Sequence, residues 1–186
     1  DSGIICSTVR LLSGKLWPPW DEREMGIGPE TLISALIEVS EEDVPALREI
    51  LVEIGAVAES AMKRKGQHPL SKEPLDSTSV YERMRRISSM SGPDSEHRKM
   101  AILRGLFLEA SPTEGKYIAR TALGSTLAGI GPKTMISALS ISFQCPSSDI
   151  IRAYNIMPDI GSIAYAAFKG ELKRIKLKPS TPIRLM

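Results

Sequence analysis

Two stretches of this sequence carry residue types suited to holding an anion. Gly26-Ile27-Gly28-Pro29-Glu30-Thr31-Leu32-Ile33-Ser34-Ala35-Leu36 and Gly129-Ile130-Gly131-Pro132-Lys133-Thr134-Met135-Ile136-Ser137-Ala138-Leu139 are identical at nine of eleven positions. A Gly-x-Gly turn running straight into a helix directs successive backbone N–H groups and the positive end of the helix dipole toward one point. That chemistry suits a phosphate oxygen. Glycine permits close approach and positive φ, the intervening Ile anchors the turn, and the hydroxyls of Thr31 and Thr134 can donate to the same or a neighbouring phosphate. Lys133 adds charge in the second copy, where the first has Glu30. A single copy is explained equally well as a tight connection between helices; duplication favours two cradles gripping two stretches of a polyanion backbone without reading bases.

Other chemistries are poorly served. Cys6, Cys145, His68 and His97 are far apart and in no ligand spacing, so no metal is expected. With two cysteines and no signal-peptide pattern, a reducing cytoplasm fits, and no apolar run approaches the roughly 20 residues of a membrane span. The net charge of +2 conceals an asymmetry: residues 1–59 hold 4 basic and 12 acidic side chains, residues 60–186 hold 20 and 10. The later excess suits a polyanionic partner, although solvated helix faces would explain it as well.

These residues must be positioned by helices. The likeness between the copies continues without gaps from Asp43–Lys63 to Asp149–Lys169, which makes two copies of one helical unit. Pro after Gly opens helices near 29–38 and 132–143. Further helices are expected from about 43 to 52, stopping before Gly55, and from about 149 to 156, stopping before Pro158, each followed by an Ala-rich helix. Between the copies, Val80, Met84 and Ile87 recur at helical spacing. Another helix opens near Ser95 with Met100, Leu103, Leu106 and Phe107 on its apolar side. Arg98 and Lys99 lie near its start, against the helix dipole, a cost that an external anion could offset. Ser111-Pro112-Thr113-Glu114 reads as a capping box opening a helix to about Leu123, on which Lys116 and Arg120 share a face. The expectation is an all-α fold of ten to twelve helices over residues 1–172, in two pseudo-twofold lobes sharing a core, with 173–186 an extended linker.

Leu127-Ala128-Gly129-Ile130-Gly131-Pro132-Lys133-Thr134 resembles the helix-hairpin-helix motif of DNA repair proteins. A longer match, from about Leu16 to Met186, is similar to the N-terminal DNA-binding domain of ATP-dependent DNA ligases of the archaeal type. It is carried by Trp17-Pro18-Pro19-Trp20-Asp21, Met25-Gly26-Ile27-Gly28, Ser95-Glu96-His97-Arg98-Lys99, Leu103-Arg104-Gly105-Leu106-Phe107, Lys116-Tyr117-Ile118-Ala119-Arg120 and Pro182-Ile183-Arg184-Leu185-Met186. The resemblance implies a domain that contacts nicked double-stranded DNA from the minor groove. Gly26, Gly28, Thr31, Arg98, Lys99, Lys116, Arg120, Gly129, Gly131, Lys133 and Thr134 would face it. It further implies that the family's first helices are missing ahead of Asp1. ATP and Mg2+ would be needed by the parent protein, none by this chain, and a sliding clamp would be met through the parent protein. Relatives often place Arg where this sequence has Leu127. The family's nucleophile segment is Lys-x-Asp-Gly, and Asp-Gly occurs nowhere here.

Two alternatives stand beside this reading. A helix-hairpin-helix glycosylase would use Asp149, eighteen residues after Gly131, but leaves the first copy unexplained. A helical protein-interaction domain would need neither glycine turn for chemistry, and the acidic first segment suits it.

Overall fold

In the computed structural model, which describes residues 2–66, 74–124 and 130–177, the chain forms ten α-helices with no strand among the described residues. They are α1 (Ser2–Leu12), α2 (Pro29–Ile37), α3 (Val44–Ile50), α4 (Ile54–Ala61), α5 (Ser77–Ser88), α6 (Ser95–Glu109), α7 (Pro112–Ala122), α8 (Pro132–Ser142), α9 (Ser147–Ile156) and α10 (Ile160–Phe168), with short 3-10 turns at Met62–Arg64 and Leu172–Arg174. The fold is all-α, as the periodicities require. No described helix is long and apolar enough to cross a membrane. Most of the tail expected as a linker, residues 178–186, lies outside the described residues.

Contacts divide the chain into two compact units, residues 24–127 and residues 1–23 with 128–186. The first contains α2 to α7. Pro29 sits in the first turn of α2, Asp43 accepts from the Ala46 amide to start α3, and the Glu53 carboxylate accepts from the amides of Gly55 and Ala56 to start α4. Asp76 caps α5, and Ser111 with Glu114 forms the capping box that opens α7. Leu32, Leu36, Val57, Met84, Leu103, Leu106 and Phe107 are fully buried in this unit. Each fully buried aliphatic or aromatic side chain contributes about 1.5–3 kcal/mol relative to exposure, so together they outweigh the caps. On α5 the buried face is Tyr81, Met84 and Ile87, so Tyr81 rather than Val80 carries the first contact.

The second unit contains α1 and α8 to α10. Its core joins Val9 of α1 to Met135, Ile136 and Leu139 of α8, Ile150 and Ala153 of α9, and Ile163, Ala164 and Ala167 of α10. Repeat mates thus occupy different units: α2, α3 and α4 in one, α8, α9 and α10 in the other. As expected, α3 stops before Gly55. That helix already ends at Ile50, and Gly55 lies inside α4, where a Cβ would come within 2.8 Å of the Arg120 side chain. Gly161 plays the same part in α10 against Arg10, also at 2.8 Å. Glycine here lets a neighbouring arginine lie against the helix backbone.

Candidate nucleic-acid interface

The first glycine turn is built from both of its ends. Met25 is buried and anchors it, Ile27 is half-buried, and Gly26, Gly28, Pro29 and Glu30 are exposed. Gly26 has φ +57°, a left-handed conformation that disfavours a side chain. Gly28, the N-cap of α2, has φ −88° and ψ 163°, which any residue adopts, and a Cβ built there meets nothing within 4 Å. Thr31 is half-buried one turn into α2.

Of the second turn, Gly129 and the neighbouring Leu127 lie outside the described residues. Ile130 packs against the core of its unit. Gly131 caps α8 with φ −71° and ψ 164°, and a Cβ there also meets nothing within 4 Å among the described residues. Lys133 and Thr134 follow it, both exposed, and no ion pair engages Lys133 among the described residues. At Gly28 and Gly131, then, neither backbone strain nor internal crowding accounts for glycine.

The cations expected to face a duplex separate into two groups. Arg98 is exposed, donating to the Ser91 carbonyl at 3.2 Å, and Lys133 is exposed as well. Lys116 and Arg120 instead turn toward α4. Lys116 Nζ donates to Glu59 at 2.8 Å, and Arg120 grips Glu53 with two bonds, Nε at 3.1 Å and Nη2 at 2.9 Å. Hydrogen bonding from Arg120, helped by the Gly55 and Ala56 amides, holds the Glu53 carboxyl below its ordinary pKa although burial opposes this. Lys116 does the same for Glu59. Lys99 goes furthest from the expected placement. It is only 8% exposed, and its Nζ donates to the carbonyls of Met25 at 3.2 Å and Gly26 at 2.9 Å, behind the first turn.

Pairing also accounts for part of the charge asymmetry. Glu30, Glu38, Glu42, Glu53 and Glu59 of the acidic segment meet Arg48, Arg104, Arg64, Arg120 and Lys116 respectively, all within one unit. Arg64, Arg104, Lys116 and Arg120 of the later basic segment therefore each neutralise one of the earlier acids. Lys65 is likewise turned inward, donating to the carbonyls of Leu108 and Ala110 at the end of α6, with its pKa lowered by burial. Burial raises the thiol pKa of Cys6 and Cys145, which suits unreactive packing groups. No group of three or more His, Cys, Asp or Glu is arranged for a metal ion among the described residues.

One structural ion pair was not read from the sequence. Arg10 of α1 binds Asp159 at the start of α10 through Nε at 3.1 Å and Nη2 at 2.5 Å, as Arg120 of α7 binds Glu53 at the start of α4. Both arginines precede by four residues a left-handed glycine that ends the helix, Gly14 at φ +66° and Gly124 at φ +64°. Arg-x-x-x-Gly ahead of each glycine turn was the available signal. The helix leading along the chain toward each turn packs in the unit of the other repeat.

The sequence profile of the family described as DNA ligase N terminus matches residues 1–140. A DNA ligase of Archaeoglobus fulgidus is 34% identical over 192 residues, covering 100% of this chain and 35% of the relative. A DNA ligase of Ignicoccus hospitalis is 37% identical over 195 residues, with 98% and 33% covered. One from Methanosphaera stadtmanae is 31% identical over 191 residues, with 100% and 34% covered. The chain spans about a third of the length of these curated relatives. A glycosylase is not favoured. Asp149 lies in the first turn of α9, whose N-cap is Pro146, and its repeat mate Asp43 caps α3.

Proposed function

Because this chain belongs to the DNA ligase N-terminal family, in its archaeal type, we propose that it grips the duplex backbone around a nick, without base specificity and without performing chemistry itself. The parent protein on this reading is an ATP-dependent ligase that joins the nick in DNA replication, repair and recombination in the cytoplasm. ATP and Mg2+ act in its remaining two thirds, where a Lys-x-Asp-Gly segment would lie, and a sliding clamp would be met through that longer protein.

The observation that carries the proposal is glycine at the N-caps of α2 and α8 where the fold itself does not require it. A phosphate oxygen accepting from backbone amides must come within about 2.9 Å of nitrogen, and a Cβ at the N-cap stands in its way. Thr31, Thr134, Lys133 and Arg98 supply hydroxyls and charge around the two turns. Lys116 and Arg120 contribute what positive potential Glu59 and Glu53 leave over, and Gly26 belongs to the same surface, as does Gly129 on its match to Gly26 in the sequence.

Fluorescence anisotropy of nicked and intact duplexes across a salt series tests this. Binding should be insensitive to base sequence and weaken steeply as salt rises. Gly28→Ala and Gly131→Ala should each weaken it several-fold while costing no more than about 1 kcal/mol of unfolding free energy, the typical worth of an N-cap over alanine. Absent or salt-insensitive binding, or alanine variants that bind like the parent chain, would sink the proposal.

A further inference from the structure

Lys99 is an unusual group for the interior of a helical domain. It is 8% exposed, and no carboxylate pairs with it among the described residues. A buried ammonium without a counter-anion is costly, and packing alone would be served by a methionine or a glutamine. Two of its three donors go to consecutive carbonyls, those of Met25 and Gly26. The fit is close enough that a Cβ on Gly26 would come within 2.7 Å of Nζ.

The consequence lies on the other side of those peptide units. In a planar trans peptide the C=O and the N–H point in opposite directions. The carbonyl of Met25 shares its peptide with the N–H of Gly26, and the carbonyl of Gly26 with the N–H of Ile27. With both carbonyls drawn toward Nζ, both N–H groups face away from it, and no acceptor among the described residues takes the amides of Gly26, Ile27 or Gly28. Successive amides turned the same way form a concave anion-binding nest. Here an uncompensated positive charge lies one peptide layer behind it.

We infer that Lys99 is a positioning residue for DNA binding: it locks the Met25 and Gly26 carbonyls inward so that the Gly26 and Ile27 amides meet a backbone phosphate, and it never touches the phosphate itself. The inference rests on the DNA-binding role proposed above and assigns Lys99 a place behind the interface. Drawing the two carbonyls inward also removes their negative ends from the phosphate's approach.

Lys99→Met keeps most of the aliphatic stem and removes the donors and the charge. Its dissociation constant for nicked duplex should rise about tenfold, the worth of a hydrogen bond to a charged group. The slope of log affinity against log salt should not change, since a neutral amide releases no counterion. Lys133→Met is the control for a direct phosphate contact and should reduce that slope by about one. Amide spectra of the unmodified chain provide a second measurement should Lys99→Met fail to fold. Gly26 and Ile27 should shift and become protected from exchange when nicked duplex is added. A slope that falls by one in Lys99→Met means direct contact and overturns the inference. So do Gly26 and Ile27 amides indifferent to bound DNA, with the DNA-binding role intact in both cases. If the unmodified chain binds no DNA at all, both readings fall together.

Discussion

The two glycine turns begin from nearly the same residues and differ in where their charge is placed. At Gly26–Gly28 the cation lies behind the backbone, buried on Lys99, while the exposed Glu30 at the front is paired with Arg48 at 2.7 Å. The described part of the second turn carries its cation in front, on the exposed Lys133. The comparison teaches that nearly identical turn residues do not fix their electrostatic surroundings. Those come from whichever helix packs nearby, α3 and α6 in the case of the first turn.

The arginines that hold the two repeats offer the largest test of this difference. The Asp159 side chain is 6% exposed and the Glu53 side chain 26%. Arg10→Met would strand a buried carboxylate with the Ser162 hydroxyl and should cost about 3 kcal/mol in urea unfolding, as breaking a buried pair does. Arg120→Met should cost about 1 kcal/mol, because Glu53 keeps solvent and the two α4 amides. Equal losses would mean that the two repeats are held alike.

Acid should separate the pairs further. The Glu53 carboxyl titrates below its ordinary value of 4.5 in the fold. The unfolded chain therefore takes up protons first, and the stability contributed by Glu53 is complete above that value and lost as pH falls through the folded pKa. Urea midpoints measured as pH is lowered past 4.5 should fall more shallowly in Arg120→Met than in the parent chain; parallel curves would show that the ion pair does not set this dependence.

The smallest expected effects concern the fronts of the turns. Lys133→Glu should weaken nicked-duplex binding about tenfold, replacing an attraction by a repulsion. Glu30→Lys should strengthen it by less than about threefold, because the new ammonium would stand beside Arg48 and repel it. If neither change alters the dissociation constant or its salt slope, both turns are structural and the docking proposed here fails.

Where local chemistry decides an outcome, the amino-acid order was sufficient. Pro29 and Pro132 start α2 and α8, Ser111 and Glu114 cap α7, and the apolar spacing of Leu103, Leu106 and Phe107 marks the buried face of α6. These depend on residues within a turn or two of one another. α1 gave no such sign. It has Gly3 near its start and no acidic residue in its first turn, and it is helical because Val9 and Arg10 find α10.

The destinations of the long cations were decided only by tertiary structure. Lys99, Lys116 and Arg120 are all expected from the sequence to face DNA, yet their partners lie 73, 57 and 67 residues away along the chain. Four or five rotatable bonds let such a side chain reach in many directions, and its choice is set by the strongest acceptor within that reach. Spacing along a helix names the face a lysine leaves from. Only the packing of α6 behind Gly26 and of α7 against α4 determines whether its charge arrives at solvent, at a carboxylate, or behind the backbone of a glycine turn.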